Sequence, residues 1–148
     1  MRSNTLCVVS SGKLKIWDKQ PDYGPVRVRD MYIGIFSKKC IEYAEKLYPY
    51  SWRILSAEYG FMKGDDIVPA PYEACFHNKN SKPISVDELK IQAEDDALKE
   101  YNKIIVLGGK YYTNLIKSIF PHKYVYNPLE GCKGIGYMIS RLNKAIKY

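Results

Sequence analysis

The order of strand-like and helix-like segments is the feature that most limits the folds open to this chain. Four short apolar segments alternate with four longer segments whose apolar residues recur every three or four positions. An alternation of this kind gives right-handed β-α-β crossovers, which build a parallel sheet covered by helices on both faces. The sequence therefore predicts a three-layer α/β/α domain with a four-stranded parallel sheet.

The predicted strands and helices cover about half of the chain. The strands are expected at 5–10, 53–56, 103–107 and 123–126, and the helices at 35–47, from Ser85 to near Glu100, at 111–119 and at 134–147. Ser85 and Glu88 have the spacing of a capping box, which marks the start of a helix. No internal repeat or linker is visible, and 148 residues suffice for one core, so we expect a single domain over residues 1–148.

Charge and aromatic content indicate the kind of partner. The chain has 23 Lys plus Arg against 16 Asp plus Glu, a formal net charge of +7. A basic surface favours a polyanionic partner, and the 14 tyrosines include candidates for stacking on bases. We therefore expect double-stranded DNA as partner and no obligate protein partner. The alternative is a solvated basic surface without a specific ligand.

The cysteines and the hydropathy of the chain bear on cofactors and location. Cys7, Cys40, Cys75 and Cys132 lack metal-binding spacing and only two histidines accompany them, so we expect no metal and no other cofactor. Cys7 lies in a predicted strand and Cys40 in a predicted helix, which favours buried thiols over the alternative of an iron-sulfur cluster. No segment is long and apolar enough to predict a membrane span, and the expected location is a reducing cytoplasm.

Several loops are expected to meet at one edge of the sheet, because ligands of parallel sheets bind at the carboxyl ends of the strands. We predict that the segments 10–13, 56–60 and 127–131 line one pocket, since each directly follows a strand. Gly12, Lys13 and Lys15 suggest a phosphate-binding loop, but the G-x-x-x-x-G-K-[ST] pattern of nucleoside triphosphate sites is absent. The loop from Gly64 to Pro83 is too long for a plain connector, which favours a functional role.

A set of short motifs spread over nearly the whole chain resembles a family of small microbial proteins of unknown function. The motifs are Ser10-Ser11-Gly12-Lys13-x-Lys15-Ile16-Trp17-Asp18, Arg29-Asp30-x-Tyr32-x-Gly34, Ile54 to Phe61, Pro71-Tyr72 and Pro128-Leu129-Glu130-Gly131-x-x-Gly134-Ile135-Gly136. That family in turn is similar to a distant branch of the uracil-DNA-glycosylase superfamily. The resemblance implies a uracil-DNA-glycosylase-like fold with sheet order 2-1-3-4 and an extruded base bound at the carboxyl ends of the strands.

Two departures from this resemblance limit the chemistry that it implies. Relatives usually have Cys at the position of Ser11 and Lys at the position of Glu58, and the missing cysteine argues against a thiol nucleophile. The G-Q-D-P-Y-H and H-P-S loops of uracil glycosylases are absent. The expected substrate is therefore a modified base other than uracil, and removal of such bases from phage DNA would serve antiviral defence.

Cleavage of an N-glycosidic bond requires a carboxylate that orients water or stabilises an oxocarbenium ion. Asp30 and Glu58 are the predicted catalytic residues, because both lie near the expected sheet edge. Glu130 is a further candidate, able to accept a hydrogen bond from an exocyclic amine of the base. The structural alternatives for Asp30, Glu58 and Glu130 are, in that order, a helix N-cap, a surface charge and a salt-bridge partner.

The remaining candidates would hold the base and the phosphates. For a base or nucleotide we predict Ser10, Ser11, Gly12, Tyr32, Ser56, Tyr59, Tyr72, Asn127 and Glu130, with Phe76 as a further stacking residue. For phosphates we predict Lys13, Lys15 and Arg29, with Arg27, Lys110 and Lys133 as further candidates. For each aromatic the alternative is a place in the core, and for each cation it is a solvated surface. His77 is a minor candidate for the binding site.

Three functions from different classes follow from these observations. The first is a DNA glycosylase that removes a modified base flipped from the duplex and leaves an abasic site. The second is a non-catalytic module that binds nucleic acid or senses a base. The third is an enzyme acting on free nucleosides or nucleotides, such as a hydrolase or deoxyribosyltransferase. Steep loss of affinity with salt would separate a duplex binder from the third class.

Overall fold

The computed structural model describes residues 4–147 and shows a mixed α/β architecture. The strands are β1 (Thr5–Val9), β2 (Val26–Arg27), β3 (Trp52–Ser56), β4 (Gly60–Met62), β5 (Ile67–Val68), β6 (Lys103–Leu107) and β7 (Tyr124–Tyr126). The helices are α1 (Ile16–Lys19), α2 (Val28–Met31), α3 (Ile35–Leu47), α4 (Val86–Asp95), α5 (Lys110–Ile119) and α6 (Ile135–Lys147). Short 3₁₀ turns occupy Lys79–Ser81 and Leu98–Glu100.

The main sheet has the strand order β4-β3-β1-β6-β7. Its four parallel strands, β3-β1-β6-β7, follow the predicted order 2-1-3-4, with β1 paired to β3 on one side and to β6 on the other. Since parallel neighbours run in the same direction, the loops after β1, β3, β6 and β7 leave the sheet at one edge. The predicted parallel core is confirmed, and it brings these loops together.

The fifth strand, β4, corrects the prediction of a purely parallel four-stranded sheet. β4 turns back at Gly60 and pairs antiparallel with β3, placing Ser56 opposite Gly60 and Ile54 opposite Met62. The side-chain amide of Gln92, on α4, holds this turn. Its Nε2 donates to the Tyr59 carbonyl at 2.8 Å, and its Oε1 accepts from the Phe61 N–H at 3.0 Å. The segment that we expected to leave the sheet as a loop therefore forms an edge strand.

Two apolar layers cover the two faces of the sheet. Successive residues of a strand point to opposite faces, so Cys7 and Val9 of β1 join the layer under α3 and α6, while Leu6 and Val8 join the layer under α4 and α5. All four side chains are buried. The period-2 pattern of one short strand thus fixes which helices pack on which face.

Helix boundaries agree with the prediction where local signals are strong. The bounds of α3 are those predicted, and Ser85 caps α4 by accepting from the Glu88 N–H, with the Glu88 carboxylate accepting in turn from the Ser85 N–H. The helix that we expected to reach Glu100 ends at Asp95, because Ala97 has a left-handed backbone with φ of 59°. The chain then continues in a short 3₁₀ turn.

Regular structure also forms in segments for which no strand or helix was predicted. The short helices α1 and α2 flank the loop from Gln20 to Pro25, and β2 pairs antiparallel with β5, with Val26 opposite Val68. This second, two-stranded sheet joins the loop before α2 to the long loop after β4. Within the described residues, no helix is long and apolar enough to cross a membrane.

The buried thiols also agree with the prediction. Cys7 and Cys40 are buried, whereas Cys75 is exposed and Cys132 is intermediate. Burial raises the pKa of the Cys40 thiol from 9.0 to about 12, and raises the pKa of Cys7 further. Both thiols are therefore protonated at neutral pH and behave as small apolar core groups.

Candidate functional site

A cavity of about 550 Å³ lies at the carboxyl edge of the sheet, beside the ends of β1 and β3. Five parts of the chain form it: the loop after β1, the residue after α2, the residue after β3, the loop that follows β5 and the first turn of α5. Its lining residues are Ser11, Gly12, Lys13, Lys15, Tyr32, Ala57, Tyr72, Glu73, Ala74, Cys75, Phe76, His77 and Tyr112.

Hydroxyl groups form a connected cluster at this cavity. The Ser56 Oγ accepts hydrogen bonds from the backbone N–H groups of Glu58 and Tyr59, both at 3.1 Å. The same oxygen is 3.2 Å from the Tyr72 hydroxyl, which is 3.2 Å from the Tyr32 hydroxyl. Ser56 does not itself line the cavity, and it connects the turn after β3 to the tyrosines that do.

A second hydroxyl pair lies on the same cavity wall. The Ser11 Oγ is 3.1 Å from the hydroxyl of Tyr112, which comes from α5. Burial raises the pKa of the Tyr32 phenol, and the nearby Ser11 hydroxyl only opposes this shift. We call Ser56, Tyr72, Tyr32, Ser11 and Tyr112 the hydroxyl chain.

Burial keeps the phenols of the hydroxyl chain neutral. Loss of hydration raises the pKa of Tyr32, Tyr72 and Tyr112 above the ordinary value of 10.0. Hydrogen bonds from Ser56 to Tyr72 and from Ser11 to Tyr112 oppose this shift without cancelling it. At neutral pH each tyrosine therefore carries its proton and can donate one hydrogen bond.

Charged groups surround the hydroxyl chain. The Lys15 Nζ lies 4.3 Å from the centroid of the Tyr72 ring, a cation–π contact, and the exposed Lys13 also lines the cavity. Glu73 supplies a carboxylate at the lining, and the His77 ring lies 4.7 Å from the Tyr111 ring, measured between centroids. The cavity thus combines aromatic walls, two cations, one carboxylate and one imidazole.

Six of the predicted binding residues line the cavity or its rim, namely Ser11, Gly12, Lys13, Lys15, Tyr32 and Tyr72. Two others contact the lining residue Tyr72: Ser56 through its hydroxyl, and Tyr59 through an edge-on ring contact at 5.7 Å between centroids. Ser10 lies next to Gly108 and does not line the cavity. Glu58 is exposed at the turn after β3, near enough for its charge to raise the pKa of Tyr72. Gly12 also has a packing role, because a methyl group there would overlap the Ser37 hydroxyl.

Asp30 and Arg29, by contrast, are held by other partners and do not line this cavity. Asp30 accepts an ion pair from Arg27 at 3.0 Å and lies within α2, so it is not the helix N-cap of the structural alternative. Arg29 pairs with Glu45 and lies 3.9 Å from the Asp65 carboxylate. Both residues belong to a surface network on α2 and its neighbours.

The segment 127–131 also lies outside the cavity lining, so the prediction that one pocket takes in all three loops is wrong for this segment. The buried Asn127 side chain donates to the Gly108 carbonyl at 2.9 Å and to the Thr113 Oγ1 at 3.0 Å. It thereby fixes the turn after β7 against α5. Glu130 is exposed, and its backbone carbonyl accepts from Arg141 at 3.2 Å.

Four lining residues were missed by sequence reasoning: Glu73, Ala74, Cys75 and Tyr112. The first three belong to the long loop 64–83, whose length was the signal of a functional role, although nothing in the sequence singles out particular positions within it. Tyr112 follows the Gly108-Gly109 turn at a predicted helix start. Phe76 and His77, which had lesser claims, are part of the lining. Among residues 4–147, no group of three or more His, Cys, Asp or Glu could hold a metal ion.

The fold and the cavity define an α/β protein with a parallel core and a ligand-sized site at the carboxyl ends of its strands. Residues 8–144 match a family of unknown function, DUF6884, and the chain belongs to this family. It is 38% identical over 143 residues to the uncharacterized protein YfjM of Bacillus subtilis (strain 168), a match that covers 96% of this chain and 95% of that protein. No solved structure matches the chain. None of these findings links it to the uracil-DNA-glycosylase superfamily, and that relation stays a prediction.

Proposed function

We propose that this protein hydrolyses the N-glycosidic bond of a modified, non-uracil base flipped out of DNA, leaving an abasic site. The observation that carries the proposal is the cavity at the carboxyl edge of the sheet, which combines aromatic walls, hydroxyl groups, two lysines and a carboxylate. Its volume of about 550 Å³ exceeds that of a nucleobase and leaves room for a substituent on the ring.

The walls of the cavity suit a flat, partly polar ligand. Tyr32, Tyr72, Phe76 and Tyr112 offer ring surfaces, and the hydroxyl chain offers polar partners for ring atoms. An extruded base needs both, because stacking replaces its neighbours in the duplex and hydrogen bonds replace its pairing partner.

The cations support a ligand that is part of a nucleic acid strand. Lys13 and Lys15 line the same cavity, where they can neutralise the phosphates on either side of an extruded nucleotide. The net charge of +7 favours the same polyanionic partner. A charge of this sign supports a DNA strand over a free nucleoside as substrate.

Two carboxylates are candidates for the acid-base or electrostatic role. Glu73 lines the cavity, and Glu58 lies at the turn after β3, close to Tyr72. Either can orient a water molecule or stabilise positive charge that develops on the sugar. Asp30 is left out of this assignment because Arg27 already neutralises it and because it does not line the cavity.

Incubation with genomic DNAs that carry different natural base modifications tests the reaction, with mass spectrometry of released bases as the measurement. We expect one class of modified base to appear in solution and alkali-labile breaks to appear in the same DNA. If no DNA from any modified source loses a base, the proposal fails and a non-catalytic base-binding module takes its place.

Substitution of the carboxylates tests their assignment on a DNA that the parent protein cleaves. Glu73→Gln or Glu58→Gln keeps the side-chain shape and removes the charge, so at least one should slow base release by roughly 10²-fold or more. Asp30→Asn is the matched control, and we expect its rate to stay within about twofold of the parent, since a group outside the cavity takes no part in the acid-base step. Normal rates in both glutamate variants, or a large loss in the control, would contradict the assignment.

A further inference from the structure

We infer that a second base site lies beside the cavity, so that the protein binds two adjacent, unpaired nucleotides of one DNA strand. The inference rests on the proposed function for the identity of the ligand as a DNA strand, and it deepens that function by naming the form of the substrate. The second site is a groove of about 560 Å³ at the same edge of the sheet, which we call the apolar groove. Its lining residues are Ser10, Ser11, Gly12, Lys13, Leu14, Gly34, Ile35, Phe36, Ser37, Cys40, Ile135 and Ile139.

The N-terminal parts of α3 and α6 form the sides of the apolar groove. Ile35 and Phe36 come from α3, Ile135 and Ile139 come from α6, and Leu14 comes from the loop after β1. Ile35 is 73% exposed and Ile135 is 61% exposed, although both side chains are large and apolar. Exposed apolar side chains gathered at an open groove are typical of a surface that a ligand covers.

The apolar groove and the cavity share a wall. Ser11, Gly12 and Lys13 line both of them. At Gly12 this wall consists of backbone, because a methyl group there would overlap Ser37 on the groove side and would lie 3.3 Å from the Tyr32 ring on the cavity side. A ligand that fills the cavity therefore has to cross only one loop to reach the groove.

A cation lies on the shared wall. Of the described residues that line the apolar groove, Lys13 is the only charged one, and it is exposed. A phosphodiester that joins a base in the cavity to a base in the groove passes over this wall, where Lys13 can neutralise it. The position of the cation thus favours two bases of one strand over two separate uncharged ligands.

The lining of the apolar groove suits binding without chemistry. Its described residues include no carboxylate and no imidazole, in contrast to Glu73 and His77 at the cavity. The Phe36 ring and the aliphatic side chains offer apolar contact to the face of a base, and such contact tolerates any base. The groove therefore holds a neighbouring nucleotide, while the acid-base groups remain at the cavity.

Two adjacent binding sites for bases favour single-stranded DNA over duplex. Placing two neighbouring bases in separate sites requires two broken base pairs in a duplex, whereas a single extruded base requires one. The cost of unpairing is least where the strand is already single. The class of substrate indicated by the two sites is therefore single-stranded or locally opened DNA.

Binding of synthetic strands tests the inference directly. The probes are single strands of abasic tetrahydrofuran residues, equal in length and in number of phosphates. They carry one thymine, two adjacent thymines, or two thymines separated by about six abasic residues. By fluorescence anisotropy we expect the adjacent pair to bind at least about tenfold more tightly than the single thymine, because a second base gains its own contacts. The separated pair should gain no more than about threefold, since a long flexible link lowers the effective concentration of the second base.

Substitution of the groove tests where the second base binds. Ile35→Ser with Ile135→Ser removes two apolar side chains that are largely exposed, so we expect the fold to be kept and the urea midpoint to change little. The gain from the adjacent thymine should fall to within about twofold of the single-thymine probe, because the contacts of the second base are lost. Affinity for the single-thymine probe should stay within about twofold of the parent.

Ile67→Ser with Ile91→Ser is the matched control. These isoleucines are 57% and 60% exposed and line neither the cavity nor the apolar groove. The control should keep the parent's gain. Equal binding of the one-thymine and adjacent-thymine probes, failure to bind any probe, or a gain that survives loss of Ile35 and Ile135 would overturn the inference.

The two proposals fail in different ways. A groove-dependent gain from the adjacent thymine in a protein that releases no base from any DNA would refute the glycosylase and leave the second base site standing. Release of bases from DNA without any gain from an adjacent thymine would refute the second base site and leave the glycosylase standing.

Discussion

Gly24 and Gly60 are both required by the backbone conformation, and Gly60 is also required by a close neighbouring side chain. Both have a positive φ, 79° at Gly60 and 86° at Gly24, which favours glycine over other residues. At Gly24 a methyl group would enter open space, whereas at Gly60 it would overlap the Gln92 side-chain amide that holds the turn into β4. The conformation is common to both positions, and the close approach is found at Gly60.

This difference predicts unequal costs for alanine. Gly24→Ala should lower the free energy of unfolding by about 1–2 kcal/mol, the cost of a left-handed backbone for an L-residue. Gly60→Ala should cost about 3–4 kcal/mol, because displacement of Gln92 also weakens its hydrogen bonds to Tyr59 and Phe61. Urea unfolding of both variants measures the difference, with Gly24→Ala as the control for backbone strain. If the two variants lose the same free energy of unfolding, the Gln92 side chain can move aside without a further loss of stability.

At the scale of elements, α4 links the edge of the sheet to the layer beneath it. Its buried residues Leu89 and Ala93 join the layer under the sheet, and Gln92 on the same helix reaches the turn into β4. The capping box at Ser85 sets where this helix begins and thus which residues face the sheet. The position of β4 therefore depends on where Gln92 lies along α4. Gln92 is 31 positions beyond Phe61, the β4 residue whose N–H it binds.

Ser85→Ala removes the cap and should lower the free energy of unfolding by about 1 kcal/mol. Ser118→Ala is a suitable control, because that exposed hydroxyl donates to the Asn114 carbonyl within α5 and caps no helix start. Its effect should be within about 0.5 kcal/mol of zero, as for most surface substitutions. Thermal and urea unfolding both report the change. A loss at Ser118 equal to that at Ser85 would argue against a specific capping contribution.

For the molecule as a whole, the proposed contact with DNA depends on the net charge of +7 and on where the charged side chains lie. Lys13 and Lys15 line the cavity, while other cations, such as Lys144 and Lys147 in the last turn of α6, belong to a helix end. General attraction depends on all of these charges, and contact with phosphates depends on those at the binding surface.

Charge reversal tests whether the cavity lies in the DNA footprint. Lys13→Glu with Lys15→Glu should weaken duplex binding for every sequence and make the slope of log K against log salt less negative by about 2, one for each lost phosphate contact. Lys144→Glu with Lys147→Glu changes the net charge equally and should leave the slope nearly unaltered. Fluorescence anisotropy over a salt series gives both slopes, and identical slopes in the two double variants would place the footprint elsewhere.

Local patterns in the sequence determined the parallel core and most of its helices. The short apolar run of β1, the apolar stripe of α3 and the capping box of α4 depend on neighbours within a few positions, and the structure agrees with each prediction. The same reasoning located the cavity at the carboxyl edge of the sheet and identified Ser11, Gly12, Lys13, Lys15, Tyr32 and Tyr72 as residues near it.

Contacts between distant segments were decided by the tertiary structure. Ser11 meets Tyr112 across 101 positions of the chain, and the loop after β5 brings Glu73 to the cavity. Strand β4 likewise forms because Gln92 satisfies the backbone groups of its turn. Local periodicity carries no information about which distant polar groups will pair, since their pairing depends on where packing of the apolar layers places them.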